Sequence, residues 1–220
     1  MEWGRSMHLD IYSDTVCPWC LIGKRRLERA LALRPEPGLT VRWQPFQLNP
    51  GMPVEGMARA EYVAMKFGDR GGDTYARVRG AGAEDGIAFA FERIARQPNT
   101  LDSHRLIDLA WQAGCQDAVV EALFSAFFLE GRDIGDRAVL TAVAKAAGMD
   151  GAVVARYLDS EDGDELIGQK DAAARGAGIN GVPFFVLEGT HALSGAQPPE
   201  IFYRLFDHGR QKAADPAVVS

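Results

Sequence analysis

Cys17 and Cys20 stand three positions apart and enclose Pro18 and Trp19. On a helix, side chains at i and i+3 share a face, which brings two sulfurs within bonding reach. The residues before the pair, 7–14 (MHLDIYSD), begin apolar and partly alternate, which predicts a strand. After it, Cys20, Gly23, Leu27, Ala30 and Leu31 fall on one helical face, and Pro35 and Pro37 end the helix. The pair therefore sits at a strand-to-helix junction with Cys17 at the helix start. Free N–H groups and the positive end of the helix dipole favour a thiolate there, and the thiolate is the nucleophile. Pro18 suits the first helical position, where its missing N–H is not needed. The expected division of labour is an exposed Cys17 that attacks and a more buried Cys20 that resolves the mixed disulfide. For any thiol whose pKa falls from about 8.5 to about 6, the thiolate fraction at pH 7 rises about 30-fold. Lower intrinsic nucleophilicity takes back about 13-fold, so the main gain is in leaving-group quality and oxidising power.

A structural zinc site needs four N or S ligands. Beyond the pair, the chain offers Cys115 and the histidines His8, His104, His191 and His208, none at a paired spacing. No metal is predicted, and Cys115 reads as an interior thiol. Three cysteines are too few for a disulfide-stapled fold. The 220 residues carry a formal net charge of −6, which argues against nucleic acid or an anionic membrane surface as main partner. Lys24, Arg25 and Arg26 read as the solvated face of a helix. The N-terminus, MEWGRSMHLD, has no apolar run of signal-peptide length, and no stretch approaches a membrane span. The expected compartment is the cytoplasm. Residues 1–6 read as an extension, with Met7 an equal candidate for the start.

Several further elements must position the pair. Residues 40–46 (TVRWQPF) predict a second strand ending at Pro45, so the chain opens as βαβ. Residues 57–178 read as helices. Leu106, Leu109, Ala110 and Ala113 form one apolar stripe, and Leu140, Val143, Ala144 and Ala147 another, with Gly148 as a C-cap. Gly71-Gly72 and the stretch 80–86 predict loops, while Phe89 and Phe91 are open between helix and extended chain. Residues 184–188 and 191–194 predict a hairpin turned at Gly189-Thr190. Pro198-Pro199 open a last helix that buries Ile201, Phe202 and Leu205 and ends at His208-Gly209, with a tail from 210 to 220. The order βαβ, helical block, ββα predicts an α/β fold whose central sheet is split by a helical insertion. Gly181-Val182-Pro183 lead into the hairpin. A proline there holds a tight turn, cis or trans, and frees the preceding backbone to pair with an extended peptide.

The segments SDTVCPWCLIGKRRLERAL (13–31), PNTLDSHRLIDLA (98–110), FFLEGRDIGDRAVLTAVAKAAGMD (127–150) and GVPFFVLEGTHALSGAQPPEIF (181–202) carry a resemblance. Over residues 7–208 the chain resembles the DsbA-like thioredoxin superfamily, in particular its FrnE-type branch. That branch is related to 2-hydroxychromene-2-carboxylate isomerases and kappa-class glutathione transferases. The resemblance implies a thioredoxin-like domain over 7–56 and 166–208, an inserted all-helical domain over 57–165, and a tail over 209–220. It makes Cys17 the attacking and Cys20 the resolving cysteine of a redox-active disulfide, with Pro183 the facing cis-proline. Val182, Pro18 and Trp19 then line the substrate site. Where relatives bind glutathione, Asn49, Asn99, His104 and the turn Ser194-Gly195-Ala196-Gln197 become candidate lining residues. Asn99 also reads as a helix cap, His104 as a core or helix-surface histidine, and the turn as a plain link.

The leading functional reading is a thiol–disulfide oxidoreductase, with disulfide isomerisation as a variant. Its partner is a protein or small-molecule thiol or disulfide, glutathione among them, and it requires no cofactor beyond its own disulfide. The alternative is a glutathione-dependent isomerase or transferase; relatives of that class carry Ser where Cys17 stands. A third reading is a non-catalytic peptide-binding module. Monomer and homodimer are both open.

Overall fold

The computed structural model describes residues 6–214. Strand β1 (Met7–Ser13) leads through the cysteine loop into α1 (Pro18–Leu33), and β2 (Leu39–Pro45) returns parallel to β1, from Met7 opposite Leu39 to Ser13 opposite Pro45. The sheet is completed 139 positions later in sequence by β5 (Phe184–Leu187) and β6 (His191–Ser194), giving the order β2-β1-β5-β6 with β5 antiparallel to both neighbours. This is a thioredoxin-like sheet with a helical insertion. Alternation along β1 sets its two faces: Met7, Leu9, Ile11 and Ser13 are buried, whereas His8 is exposed and Asp10 and Tyr12 are half-buried. Ile11 pairs with Phe185 and Leu9 with Leu187 on the face covered by α1 and α9 (Pro199–Ala214), where Phe202 meets Phe185 edge-to-face at 4.9 Å. On the opposite face Tyr12 and Phe184 pack with Phe46, Ala174 and Ile179.

Between β2 and β5 run α2 (Arg59–Phe67), α3 (Gly71–Glu84), α4 (Leu101–Gln112), α5 (Gln116–Phe124), α6 (Arg137–Ala146), α7 (Gly151–Asp159) and α8 (Asp164–Gly176). A two-residue ribbon, β3 (Met57–Ala58) with β4 (Arg96–Gln97), closes the α2–α3 segment; strands this short leave no periodicity in a sequence. The stripes on α4 and α6 face the core through Leu106, Ala110, Leu140, Val143 and Ala144. Ala113 is exposed because α4 ends at Gln112. Gly148 follows the end of α6 with φ +91°, the conformation that glycine adopts most cheaply.

Three expectations need correcting. Gly71, Gly72, Gly80 and Gly82 lie inside α3 rather than in loops. Glycine serves close packing at two of them: a Cβ on Gly71 would come within 2.8 Å of Val63, and one on Gly82 would overlap the Phe89 ring. The turn falls at Gly86, with φ +74°, and Phe89 runs extended into a single 3-10 turn at Phe91–Arg93. The last helix does not end at Gly209. It runs to Ala214, and Gly209 is there for close packing inside it, since a Cβ would lie 2.4 Å from Leu187; residues 215–220 of the expected tail lie outside the described residues.

Lys24, Arg25 and Arg26 are not a solvated basic face. Lys24 is 2% exposed and pairs with Glu28, Asp117 and Glu121. Arg25 forks onto Glu121, and Arg26 binds Asp85 at 2.6 Å. Three consecutive cations thus fasten α1 to α5 and to the end of α3. The Arg25 hydrogen bond holds the Glu121 carboxyl down to about 2. The edge of β2 is closed by a side chain: the Gln116 amide accepts from Trp43 N–H at 2.8 Å and donates to Trp43 C=O at 3.1 Å. That pairing blunts an edge that would otherwise offer free backbone groups.

Candidate active site

Cys17 is the N-cap of α1, and Pro18 follows at the first helical position. Its backbone N–H donates to Asp14 C=O at 3.0 Å, and its own C=O accepts from Cys20 N–H at 3.0 Å. These bonds fold residues 14–20 into a tight strand-to-helix corner that aims both thiols to the same side. The Cys17 Sγ donates to the Val182 carbonyl at 3.6 Å. The Val182–Pro183 bond is cis. Cys20 is completely buried behind Cys17. Both cysteines are free thiols here, and Cys115, the N-cap of α5, is a half-buried third.

Cys17 is only 4% exposed, where exposure was expected. It is covered because its sulfur turns inward onto Val182 C=O, while Pro18, Trp19 and Val182 remain half-buried around it. Gly23 explains how the proline comes so close. A Cβ at this position of α1 would lie 3.0 Å from Pro183 Cγ and 3.3 Å from the Phe185 ring. Burial, and then the hydrogen bond and negative charge at Cys17, push the Cys20 thiol well above the ordinary range; the Ser13 hydroxyl and the Asp14 N–H pull the other way and lose.

That raised thiol has a consequence for stability. A group whose folded pKa lies above its unfolded value of about 8.5 stabilises the fold fully below that pH and loses the contribution as pH rises through the folded value. The reduced protein is therefore expected to lose stability above about pH 8.5. Half-buried Tyr12, Tyr75 and Tyr157, also pushed up chiefly by burial, add the same sign. The measurement is thus the difference in urea midpoint between the reduced chain and Cys20→Ser from pH 7 to 10. The difference should shift steadily against the reduced wild type above pH 8.5; a constant difference refutes the assignment.

The other candidate residues divide into three groups. The turn 194–197 joins the cysteine site: Gly195 N–H donates to Pro183 C=O at 2.8 Å, and Ala196 C=O accepts from Arg26 at 2.7 Å. Gln197 donates back to Ser194 C=O at 2.8 Å, closing the turn on itself. Asn49 and Asn99 converge on a different feature, the 49–52 turn below α2. Asn49 donates to the Tyr62 hydroxyl at 3.2 Å and receives Lys66 at 3.5 Å. Asn99 donates to Met52 C=O at 2.6 Å and accepts from Leu101 N–H at 2.9 Å, which occupies its side chain as a helix cap. His104 is buried under the cysteine loop, with Nε2 3.4 Å from Asp14 Oδ1. Sequence reasoning missed Asp14, Thr15 and Ser103. Thr15 and Ser103 share a buried hydroxyl–hydroxyl bond of 2.8 Å that pins α4 to the loop; short polar residues beside a cysteine motif carry no periodic signal.

Among the described residues, no three His, Cys, Asp or Glu side chains are grouped to hold a metal ion, and no helix is long and apolar enough to cross a membrane.

The family profile described as a DsbA-like thioredoxin domain matches residues 8–207. A crystal structure of a probable DsbA oxidoreductase from Streptomyces coelicolor is 29% identical, with a TM-score of 0.85 over 97% of this chain and 93% of that one. The cytosolic disulfide reductase DsbM from Pseudomonas aeruginosa, solved with GSH, is 22% identical with a TM-score of 0.65 over 92% of this chain and 99% of its own. A 2-hydroxychromene-2-carboxylate isomerase is 18% identical with a TM-score of 0.65, covering 97% of this chain and 100% of that one. The likeness to the last two is one of fold.

Proposed function

The chain belongs to the DsbA-like thioredoxin domain family, and from that premise we propose that it exchanges disulfides through Cys17-Pro18-Trp19-Cys20, in the manner of the FrnE-type branch. The observation that carries the reading is the pair itself: one thiol at a helix N-cap facing Val182 C=O, the other sealed behind it. In the reducing direction, the Cys17 thiolate attacks a substrate disulfide, forming a Cys17–substrate S–S bond and expelling the first substrate thiolate. Cys20 then loses its proton and attacks Cys17 Sγ. The mixed disulfide breaks, the second substrate thiolate leaves, and two electrons have passed from the dithiol to the substrate. The oxidising direction reverses each step. No cofactor enters beyond the protein's own disulfide.

Pro18 and Trp19 flank the attacking sulfur, and Val182 offers main-chain groups to an extended substrate segment, a mode that gives affinity without fixing sequence. Pro183 holds Val182 in place, with Gly23 on one side and Gly195 on the other. Substrates are protein or small thiols and disulfides, with glutathione a candidate that Ser194–Gln197 would border, and the compartment is the cytoplasm. The presence of both cysteines favours electron transfer over isomerisation of a small molecule. The test is equilibration with glutathione buffers of graded ratio, followed by acid quench and thiol counting. A Cys17–Cys20 disulfide that forms and is reduced reversibly supports the reading; a chain that keeps both thiols at every ratio overturns it.

A further inference from the structure

Asp14 is wholly buried, and the His104 side chain is 2% exposed. Their facing atoms, Asp14 Oδ1 and His104 Nε2, are 3.4 Å apart, and both are buried without making a hydrogen bond to each other or to any other group. The second carboxylate oxygen is taken by Leu48 N–H at 2.7 Å. The same residue holds the cysteine loop through its main chain: its C=O accepts from Cys17 N–H at 3.0 Å. His104 comes from the other domain, on the first turn of α4, one position after the Ser103 that binds Thr15. The charged groups on the surrounding elements are engaged elsewhere. Asp108 pairs with Lys170, and Asp171 with Arg175. Asp102 takes Arg105 and Arg137, Lys24 takes three acids of its own, and Asp10 receives Gln44. Among the described residues, His104 is the basic side chain that reaches Asp14.

We propose that Asp14 and His104 form a buried positioning pair that sets the redox equilibrium of the Cys17–Cys20 dithiol, with His104 acting through Asp14. The proposal rests on the disulfide-exchange reading above. A buried carboxylate without a partner is costly, and its charge opposes any second negative charge nearby. By placing a ring nitrogen against Oδ1, His104 offsets that charge at the floor of the site, so that a thiolate can form above it. Without His104 the reduced form loses thiolate stabilisation and the disulfide becomes harder to reduce.

The experiment is a double-mutant cycle on the reaction protein disulfide + 2 GSH ⇌ protein dithiol + GSSG, with folding of each variant checked by circular dichroism. His104→Phe removes the ring nitrogens and should lower the equilibrium constant at least about fivefold, about 20 mV at 29.6 mV per tenfold. Asp14→Asn removes the charge and should raise it. The double variant should match Asp14→Asn within about twofold, since coupled residues fail to add. A His104→Phe constant within twofold of wild type overturns the proposal, as does a His104 effect that persists undiminished when Asp14 is Asn. If His104→Phe does not fold, Asp14→Asn decides alone: an unchanged constant overturns the pair's role. Failure of the wild type to form the disulfide at all is the separate result that removes the parent reading. A purely structural role moves the melting point of these variants and leaves the equilibrium constant where it was.

Discussion

Cys17→Ser is expected to reduce disulfide exchange to the uncatalysed background, a fall on the order of 10³-fold or more, as loss of a catalytic nucleophile does. A hydroxyl at the helix N-cap is a good cap and a poor nucleophile toward sulfur, so the fold should survive while the chemistry does not. The assay is reduction of insulin by dithiothreitol, followed by turbidity, at matched protein concentration. Cys20→Ser is expected to separate the two steps that Cys17→Ser removes together. Attack by Cys17 continues, but no internal thiol remains to break the Cys17–substrate bond. The variant should therefore accumulate a stable mixed disulfide, seen by mass spectrometry as one adduct per chain. Burial pushes the Cys20 thiol up and keeps it from reagents. Brief treatment of the reduced chain with iodoacetamide at neutral pH should thus label Cys17 before Cys20, as peptide mapping would show. Undiminished insulin reduction by Cys17→Ser would end the assignment of the nucleophile, and an adduct on Cys20 rather than Cys17 would invert the roles.

The residues proposed for this chemistry are legible in the sequence because their signals are local. A C-x-x-C pair needs only a strand, a helix start and a proline at the first turn, and 40 residues of sequence contain all three. The hairpin and the Val-Pro entry to β5 were equally plain, since β-branched and aromatic runs punctuated by Gly-Thr have one reading. What escaped was long-range. Gly82 in a helix looks like a breaker until Phe89 is seen pressed onto it. Lys24-Arg25-Arg26 looks solvated until Asp117, Glu121 and Asp85 arrive from elements about 60 to 100 residues away in sequence. Asp14 and His104, 90 positions apart, become a pair only when the insertion docks on the sheet. The covered position of Cys17 belongs to the same class: a helix start predicts an open thiol, and only the Val182 carbonyl arriving from the far end of the chain turns it inward.

Arg105 is the extreme case, and its replacement should have the largest effect on stability. Nothing in the sequence distinguishes it, because arginine on a helix is ordinarily solvated. Here it is fully buried, the largest side chain so enclosed among the described residues. Its guanidinium donates to Asp162 C=O at 2.8 Å, Tyr157 C=O at 2.8 Å and Ser160 C=O at 2.7 Å. It also pairs with Asp102 at 2.5 Å and Asp164 at 2.8 Å, and lies over the Tyr157 ring with its Cζ 5.0 Å from the centroid. Tyr157 C=O lies in the last turn of α7, and Ser160 and Asp162 lie in the link to α8, so one fork spans the end of α7, binds the start of α8 and anchors both to α4. Arg105→Met fills most of the space but takes the guanidinium donor from the Ser160 and Asp162 carbonyls and unbalances Asp164, while Tyr157 C=O keeps the Ser160 hydroxyl and Asp102 keeps Arg137. Breaking a buried ionic hub from one side costs about 3–5 kcal/mol. In a chain of this size that lowers the melting temperature by about 6–20 °C. Arg105→Lys should recover only part of the loss, because a point charge cannot reach carbonyls in several directions at once. Thermal melts of the two variants decide the matter: equal and small shifts would mean that the hub is dispensable, whereas a graded loss with Met below Lys is what the fork geometry requires. Because α4 also carries Ser103 and His104 to the cysteine loop, the Arg105→Met chain should lose insulin reduction at a temperature below its own melting point, as α4 loosens from Thr15 and Asp14 first.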